Sequence, residues 1–361
     1  MRLFFYFISR IYIIVLKFWT CLYKYKILSS FNSSVPIVSI GNIESGGTGK
    51  TPMTVFISKI LTKKNISHII ITRGYKKMGT GTFVLDDSQD LVRSSPWIVG
   101  DEPYMMHKKL GTVPIIVDAN KARAIVLGIK RFRPQLILLD DGFQSIKIKR
   151  SLDIVLINSL SRKSNFHLLP FGSLREPLAA LTRAGFVIFT KYNLITNQKN
   201  YFQQKIQKQL LSKQQKYCFS ELKSCVMQYN FNNQSLQKIQ ETNGPLSVLC
   251  VCGIADPKSF TPFINPPFKV KQVAIFKDHH SYQLEQASFL NLLRDALAKN
   301  MVGLVTTYKD FVKIIHLGPK FVRWCSENNF LLFVIDINVV LDAENERLVL
   351  QSIQSLLLLK G

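Results

Sequence analysis

Acidic residues are scarce in this chain: 23 Asp and Glu stand against 47 Lys and Arg, a formal net charge of +24 over 361 residues. A surplus of that size attracts polyanions, which are nucleic acid, anionic lipid head groups or phosphorylated substrates. Charge alone does not choose among them. The six cysteines, at 21, 218, 225, 250, 252 and 325, contain no CxxC pair and suggest no disulfide framework for a chain of this size. They read as reduced thiols in a cytosolic protein, packed as small apolar side chains. Cys250 and Cys252 lie inside an apolar run, which argues against a metal role for them. Internal repeats and a low-complexity tail are absent too. Charged residues make up only 19% against 47% hydrophobic, which excludes bulk disorder. The length suits two domains better than one core.

Long apolar runs are not lacking at the amino terminus. Residues 3–23 read LFFYFISRIYIIVLKFWTCLY, interrupted by Arg10 and Lys17. Their length matches a membrane span, but the interruptions count against one. Arg10, Lys17 and Lys24 recur every seven residues and so form one stripe of a helix, with Phe, Ile, Leu and Trp elsewhere on it. That pattern predicts a helix lying in the membrane interface, its basic side toward anionic lipid. A true span and a helix packed on the protein's own core are the alternatives. No small-residue cleavage site follows, so a signal peptide is not expected.

After the polar link 32–34, apolar strand-like runs at 35–40, 69–72, 113–117, 136–139, 154–157 and 186–190 alternate with helical patterns at 51–61 and 120–132. Short apolar strands between helices predict an α/β fold with a mainly parallel sheet covered on both faces. A Gln-, Lys-, Asn- and Ser-rich stretch at 195–240 reads as a helix and a hairpin leading out of this domain. Further strands are expected at 246–251, 270–276, 303–306 and 330–335. The organisation predicted is an N-terminal helix over 1–30, a P-loop NTPase-like domain over 31–220, and a smaller α/β domain over 221–361.

The strand at 35–40 runs into Glu44-Ser45-Gly46-Gly47-Thr48-Gly49-Lys50-Thr51 and then a helix. That is the context of a Walker A loop, in which glycines turn backbone N–H groups inward around phosphates. Ser45 to Thr51 are the nucleotide-binding positions: Lys50 reaches the β- and γ-phosphates of ATP, and the Thr51 hydroxyl holds Mg²⁺. The strict pattern wants Gly at 44, where this chain has Glu. About 90 residues on, the apolar run at 136–139 ends in Asp140-Asp141-Gly142, the Walker B arrangement, with the carboxylates as metal ligands.

Further stretches tighten the reading. They are Thr72-Arg73-Gly74-Tyr75, Val99-Gly100-Asp101-Glu102-Pro103, Asp140-Asp141-Gly142-Phe143-Gln144 and the LLPFGSLREP run at 168–177. In the second half come Cys252-Gly253-Ile254-Ala255-Asp256-Pro257, Phe276-Lys277-Asp278-His279-His280 and Thr306-Thr307-Tyr308-Lys309-Asp310. With the GGTGKTP loop, in this order, they resemble the tetraacyldisaccharide 4'-kinase family over roughly 1–335. The resemblance implies phosphoryl transfer from ATP to the 4'-hydroxyl of a tetraacylated glucosamine disaccharide phosphate. It also implies a cleft between two domains and an N-terminal helix docked on the cytoplasmic face of the inner membrane.

Within it, Asp101 is the candidate base, completed by His279 when the cleft closes, and Glu102 contributes to the metal or to positioning. Arg73 is a substrate-binding position. Arg175 and Glu176 either bind substrate phosphate and order the cleft or form a buried pair. One departure stands out: Ser145 follows DDGFQ, where the family usually shows His.

Two other classes compete. Phe189-Thr190-Lys191 resembles the start of a guanine-reading signature, as in a regulatory GTPase or ATPase switch, but Asn193 stands where an Asp would read the base. A nucleic-acid translocase suits the charge but not the amino-terminal helix, and nucleic acid is not an expected partner. The expected partners are the lipid disaccharide and an anionic membrane surface.

Overall fold

The computed structural model describes residues 2–75, 77–86, 95–161, 167–195, 201–211, 215–239, 244–254, 257, 260–264 and 267–358. Ala255 and Asp256 of the CGIADP stretch lie outside them. The chain opens with helix α1 (Arg2–Lys24) and then builds an eight-stranded sheet. Its strands are β1 (Ile37–Asn42), β2 (His68–Thr72), β3 (Phe83–Leu85), β4 (Ile115–Val117), β5 (Leu136–Asp140), β6 (Leu152–Asn158), β7 (Phe186–Thr190) and β8 (Lys216–Phe219). Their order is β3-β4-β2-β5-β1-β6-β7-β8, parallel throughout except for β3 against β4. β1, β2, β5 and β7 are buried at every position, as their unbroken apolar runs require when helices cover both faces.

Two strands start later than the apolar runs suggest, for one reason. Pro36 and Pro114 lack the N–H that a ladder needs, so β1 opens at Ile37 and β4 at Ile115.

The helices between these strands are α2 (Lys50–Lys63), α3 (Pro96–Val99), α4 (Asp101–Leu110), α5 (Lys121–Phe132) and α6 (Tyr201–Leu211). Pro96 at its first turn starts α3, and Gly100 at φ 101° breaks it from α4. α4 thus begins on Asp101 and Glu102, where acidic side chains complement the helix dipole.

The chain then passes from β8 to β9 (Glu221–Asn230) and enters a second sheet. This one has six strands: β9, β10 (Ser235–Lys238), β11 (Leu246–Cys252), β12 (Phe268–Ile275), β13 (Gly303–Thr307) and β14 (Leu331–Val340), in the order β10-β9-β14-β13-β11-β12. β9 and β10 form the expected hairpin, and β9 runs antiparallel along β14. β14 continues well past the apolar run that marks its start, because β9 pairs along it from Leu332 to Val340. Helices α7 (Gln286–Ala298), α8 (Tyr308–Ile314), α9 (Pro319–Glu327) and α10 (Ala343–Leu358) complete the fold.

One apolar core runs through both sheets, joining Val38, Ile70 and Leu138 to Leu249, Leu304 and Val334. α2 and α4 lie between the sheets, α2 packing on β14 and α4 on α8. A buried Lys109–Asp336 ion pair pins α4 to β14. All six cysteines are unpaired, and Cys250 and Cys252 sit buried in β11.

Candidate active site

β1, β2, β5 and β7 all end at one edge of the first sheet, and the sequence-predicted nucleotide residues follow from those ends. In an open parallel sheet the crevice beyond the carboxyl ends of the strands is where ligands bind. β1 and β5 are neighbours in register, Ile40 opposite Asp140, so the phosphate loop and the paired carboxylates are brought side by side. Their turns interlock. A Cβ on Gly41 would lie 2.5 Å from Phe143 Cβ, and one on Gly142 would lie 2.5 Å from Ser39 Oγ.

The loop is held open from outside. Ser45 N and Oγ donate to Ser173 O at 2.7 and 3.0 Å. Asn42 Nδ2 donates to Thr48 Oγ1 at 2.7 Å, and Thr190 Oγ1 to Thr48 O at 3.0 Å. Gly46 and Gly49 take φ values of 105° and 88°, a region closed to most side chains. Cβ atoms on Gly46, Gly47 or Gly49 would meet nothing within 4 Å. The loop therefore presents bare backbone to open space above the N-terminus of α2, the geometry that suits a phosphate chain.

Glu44 explains its own departure from the motif. It has no positive φ to demand glycine, and its buried side chain turns away to accept from Ser161 Oγ and, at 3.4 Å, from Asn158 N. Burial raises its pKa.

Lys50 Nζ lies 3.6 Å from Asp141 Oδ1. Asp141 also accepts from Arg175 Nη1 at 3.0 and 3.2 Å. Burial works against ionisation of Asp141, but Lys50, Arg175 and Lys121 outweigh it and hold its pKa below the usual range. Asp140 behaves in the opposite way. Its oxygens accept from Thr54 Oγ1 (3.2 Å) and Thr72 Oγ1 (3.1 Å), and burial, then Glu102 and Asp141, push its pKa up to about 6.

An under-neutralised carboxylate beside two more is relieved by a divalent cation. The donor set is all hard oxygen, as Mg²⁺ prefers. Among the described residues no group of three or more His, Cys, Asp or Glu could hold a metal ion by itself. The residues thus fit a cation that takes one or two carboxylates, the Thr51 hydroxyl and substrate phosphates.

The second cluster joins the two sheets. His279 Nδ1 donates to Asp101 at 2.9 and 3.0 Å, linking residues 178 positions apart. An ionised carboxylate only accepts, so Nδ1 carries the proton. Lys309 Nζ donates to His279 Nε2 at 3.3 Å, which agrees with that tautomer. Burial alone would raise the Asp101 pKa, but the His279 hydrogen bond, Lys309 and Lys313 overcome it and hold it at about 2. Lys309 also reaches Asp278 (3.0 Å) and Glu102 (3.3 Å). Tyr75 sets its ring edge against His279 at 5.2 Å between centroids.

The sequence reading named Lys309 only within the 306–310 stretch, without a role, and missed Lys313, although a signal existed. Thr307 Oγ1 accepts from Asp310 N, and Asp310 Oδ2 accepts from Thr307 Oγ1 and Gly253 N. That capping arrangement starts α8 and sets both lysines, one turn apart, toward Asp101.

Two expected substrate-binding positions, and the residue that counted against guanine recognition, take the following places. Arg73 is exposed just beyond β2. Glu176 does not pair with Arg175: its buried carboxylate accepts from Arg183 Nη2 (2.5 Å) and Gln144 Nε2 (3.1 Å). Both of its oxygens are thus engaged inside the protein. Asn193, which stands where a guanine-reading signature has Asp, bonds through both amide atoms to the Leu222 backbone and so links the two sheets.

α1 docks through one face. Ser9 Oγ donates to Leu168 O at 3.0 Å and Tyr12 Oη to Arg175 O at 3.1 Å, while Tyr6 meets Phe171 edge-on. The opposite face is bare: Phe4, Phe7, Ile14 and Phe18 are 63–66% exposed. By length and composition α1 is the one helix among the described residues apolar enough to cross a membrane.

The family model for tetraacyldisaccharide-1-P 4'-kinase matches residues 1–354. The chain is 30% identical to a tetraacyldisaccharide 4'-kinase of Halothermothrix orenii, over 92% of this chain and 88% of that one. It is 33% identical to one of Bacteroides thetaiotaomicron, over 86% and 82% respectively. Its fold superposes on LpxK from Aquifex aeolicus, solved in complex with ATP, with TM-score 0.69 at 24% identity, covering 96% of this chain and 97% of that one.

Proposed function

The chain belongs to the tetraacyldisaccharide-1-P 4'-kinase family, and on that premise we propose that its cleft moves the γ-phosphoryl of ATP to the 4'-hydroxyl of a tetraacylated glucosamine disaccharide 1-phosphate, a step of lipid A synthesis. The Asp101–His279 pair carries this reading. It sets a proton-accepting unit from the second sheet against the helix that follows the phosphate side of the first.

The roles divide accordingly. Backbone N–H groups of 45–51 cradle the ATP phosphates, and Lys50 stabilises the charge that develops on the transferred group. Thr51, Asp140, Asp141 and Glu102 would hold Mg²⁺, which when bound neutralises phosphate charge. A carboxylate held at about pKa 2 is a weak base by itself. Asp101 therefore acts by fixing His279 Nδ1–H, which leaves Nε2 to take the sugar hydroxyl proton as transfer proceeds. Lys309 withdraws toward Glu102 and Asp278 when that nitrogen is used. Arg73, exposed at the rim, and Arg175, on Asp141, meet substrate phosphate.

Residues 31–220 and 221–361 act as two units whose relative position sets the dyad. Helix α1 lies on the cytoplasmic face of the inner membrane, with its bare apolar face in the acyl region. Arg10, Lys17 and Lys24 then lie at the level of anionic head groups. The test is transfer of labelled γ-phosphate to a tetraacyldisaccharide 1-phosphate in mixed micelles. Product labelled at the 4'-position is expected; ATP hydrolysis with no labelled lipid would overturn the reading.

A further inference from the structure

The turn that carries the paired carboxylates is held from behind by a cation outside the phosphate loop. Lys121 opens α5, whose start is capped by Asn120 Oδ1 accepting from Arg123 N. Its Nζ donates to Asp141 O at 2.6 Å, to Asp140 O at 3.3 Å and to Ser145 Oγ at 3.1 Å. An ammonium has three N–H donors and no acceptor, so this single turn satisfies it completely.

The turn needs such a hold. Asp141 sits at φ 48°, a left-handed conformation uncommon outside glycine, although Asp and Asn adopt it more readily than most. Glycine would relax the backbone but would remove the carboxylate that meets Lys50 and Arg175. The far side of the same turn is pinned as well. Arg150 Nη1 donates to Ser145 O (2.6 Å) and Ile148 O (2.8 Å), and Gln144 Nε2 donates to Asn42 O (2.7 Å).

We propose that Lys121 is a positioning residue for phosphoryl transfer. It fixes the Asp140–Asp141 turn through its carbonyls, and Ser145 serves as the third acceptor of its ammonium. A serine at 145 is then a working part of the turn. Its short hydroxyl reaches the ammonium of Lys121 without crowding it. The inference rests on the kinase reading of this site.

The test uses the full chain with Lys121→Met, Lys121→Arg and Ser145→Ala. Calorimetry gives the ATP dissociation constant with and without Mg²⁺, and steady-state transfer gives kcat and the lipid KM. Lys121→Met is expected to weaken ATP binding in Mg²⁺ about tenfold and metal-free binding less than twofold. Its kcat should fall at least tenfold, with the lipid KM within twofold. Ser145→Ala should move the same quantities about threefold, and Lys121→Arg should restore most of the loss.

A raised lipid KM with the Mg²⁺-dependent binding ratio unchanged would overturn the proposal, because Lys121 would then contact the acceptor. A lowered Tm with that ratio unchanged would overturn it too. If Lys121→Met does not fold, an unaltered ratio in Ser145→Ala is decisive against it. The kinase reading fails separately, through absence of lipid transfer by the unaltered protein, whereas the binding ratio tests the turn alone.

Discussion

The phosphate side of the cleft is drawn from neighbouring strand ends of a single sheet, with Ser45 to Thr51 after β1 and Asp140–Asp141 at the end of β5. The proposed acceptor side takes Asp101 from the start of α4, His279 from the loop after β12 and Lys309 from α8. One side is backbone and short turns on a rigid ladder. The other is a set of side chains whose meeting depends on how two sheets sit against each other. Nucleotide binding and acceptor activation should therefore fail independently, and each prediction below tests that separation.

The largest effect is expected from Lys50→Ala. Removing the cation that meets the developing charge should slow single-turnover transfer by roughly 10³-fold. A near-normal rate would show that the phosphate side does not depend on this loop.

Asp101→Asn and His279→Ala should each slow transfer by about 10²-fold or more, while Mg-ATP affinity stays nearly unchanged. The double variant should be scarcely slower than the worse single one, since groups acting as a unit are non-additive. Multiplied losses would break the dyad into two independent groups.

Asp140 sharpens the comparison through stability. Its folded pKa is raised to about 6, above the unfolded carboxylate value near 4, so its ionisation disfavours the fold by an amount that grows between about pH 4 and 6 and levels off above that. Asp140→Asn should therefore abolish most activity yet stabilise the ligand-free protein at pH 8, by on the order of 1–3 kcal/mol, with little gain at pH 4. Asp101 has the opposite sign. Held at about 2, it contributes stability above the unfolded value near 4 that is lost as pH falls toward 2, so Asp101→Asn should cost stability at pH 7. Urea midpoints across pH measure both.

The smallest effect on chemistry should come from the bare face of α1. Phe7→Ser with Ile14→Ser and Phe18→Ser should move the protein toward the soluble fraction and raise the lipid KM in vesicles several-fold. ATP affinity should not change, because Ser9 and Tyr12 still dock the helix. Retention on membranes at high salt would place the anchor elsewhere.

Much of the phosphate side was legible because its determinants are local. An apolar strand, glycines that tolerate positive φ, and a lysine at a helix start declare themselves within a few residues, and so does an apolar run ending in two carboxylates. The meeting of Asp101 and His279 was expected only through resemblance. Nothing near Asp101 or His279 in the chain announces the other, and the adjacent His280 offers the same chemistry on sequence grounds. In the structure His280 turns toward Phe276 and Tyr282, while His279, at φ 61°, turns to Asp101.

Sequence alone determined the parallel α/β sheet, the phosphate loop at its strand ends, the amphipathic first helix and the cationic balance of the whole. Each of these follows from periodicity, backbone preference or composition, which act over a turn or two of chain. Tertiary structure alone decided that Arg175 serves Asp141 while Glu176 answers to Arg183, that Lys309 and Lys313 converge on Asp101, and that Lys121 closes on the Asp140–Asp141 turn. A charge takes whichever counter-charge or carbonyl packing places within about 3–4 Å, and the chain's spacing says nothing about that distance until both sheets have folded against each other.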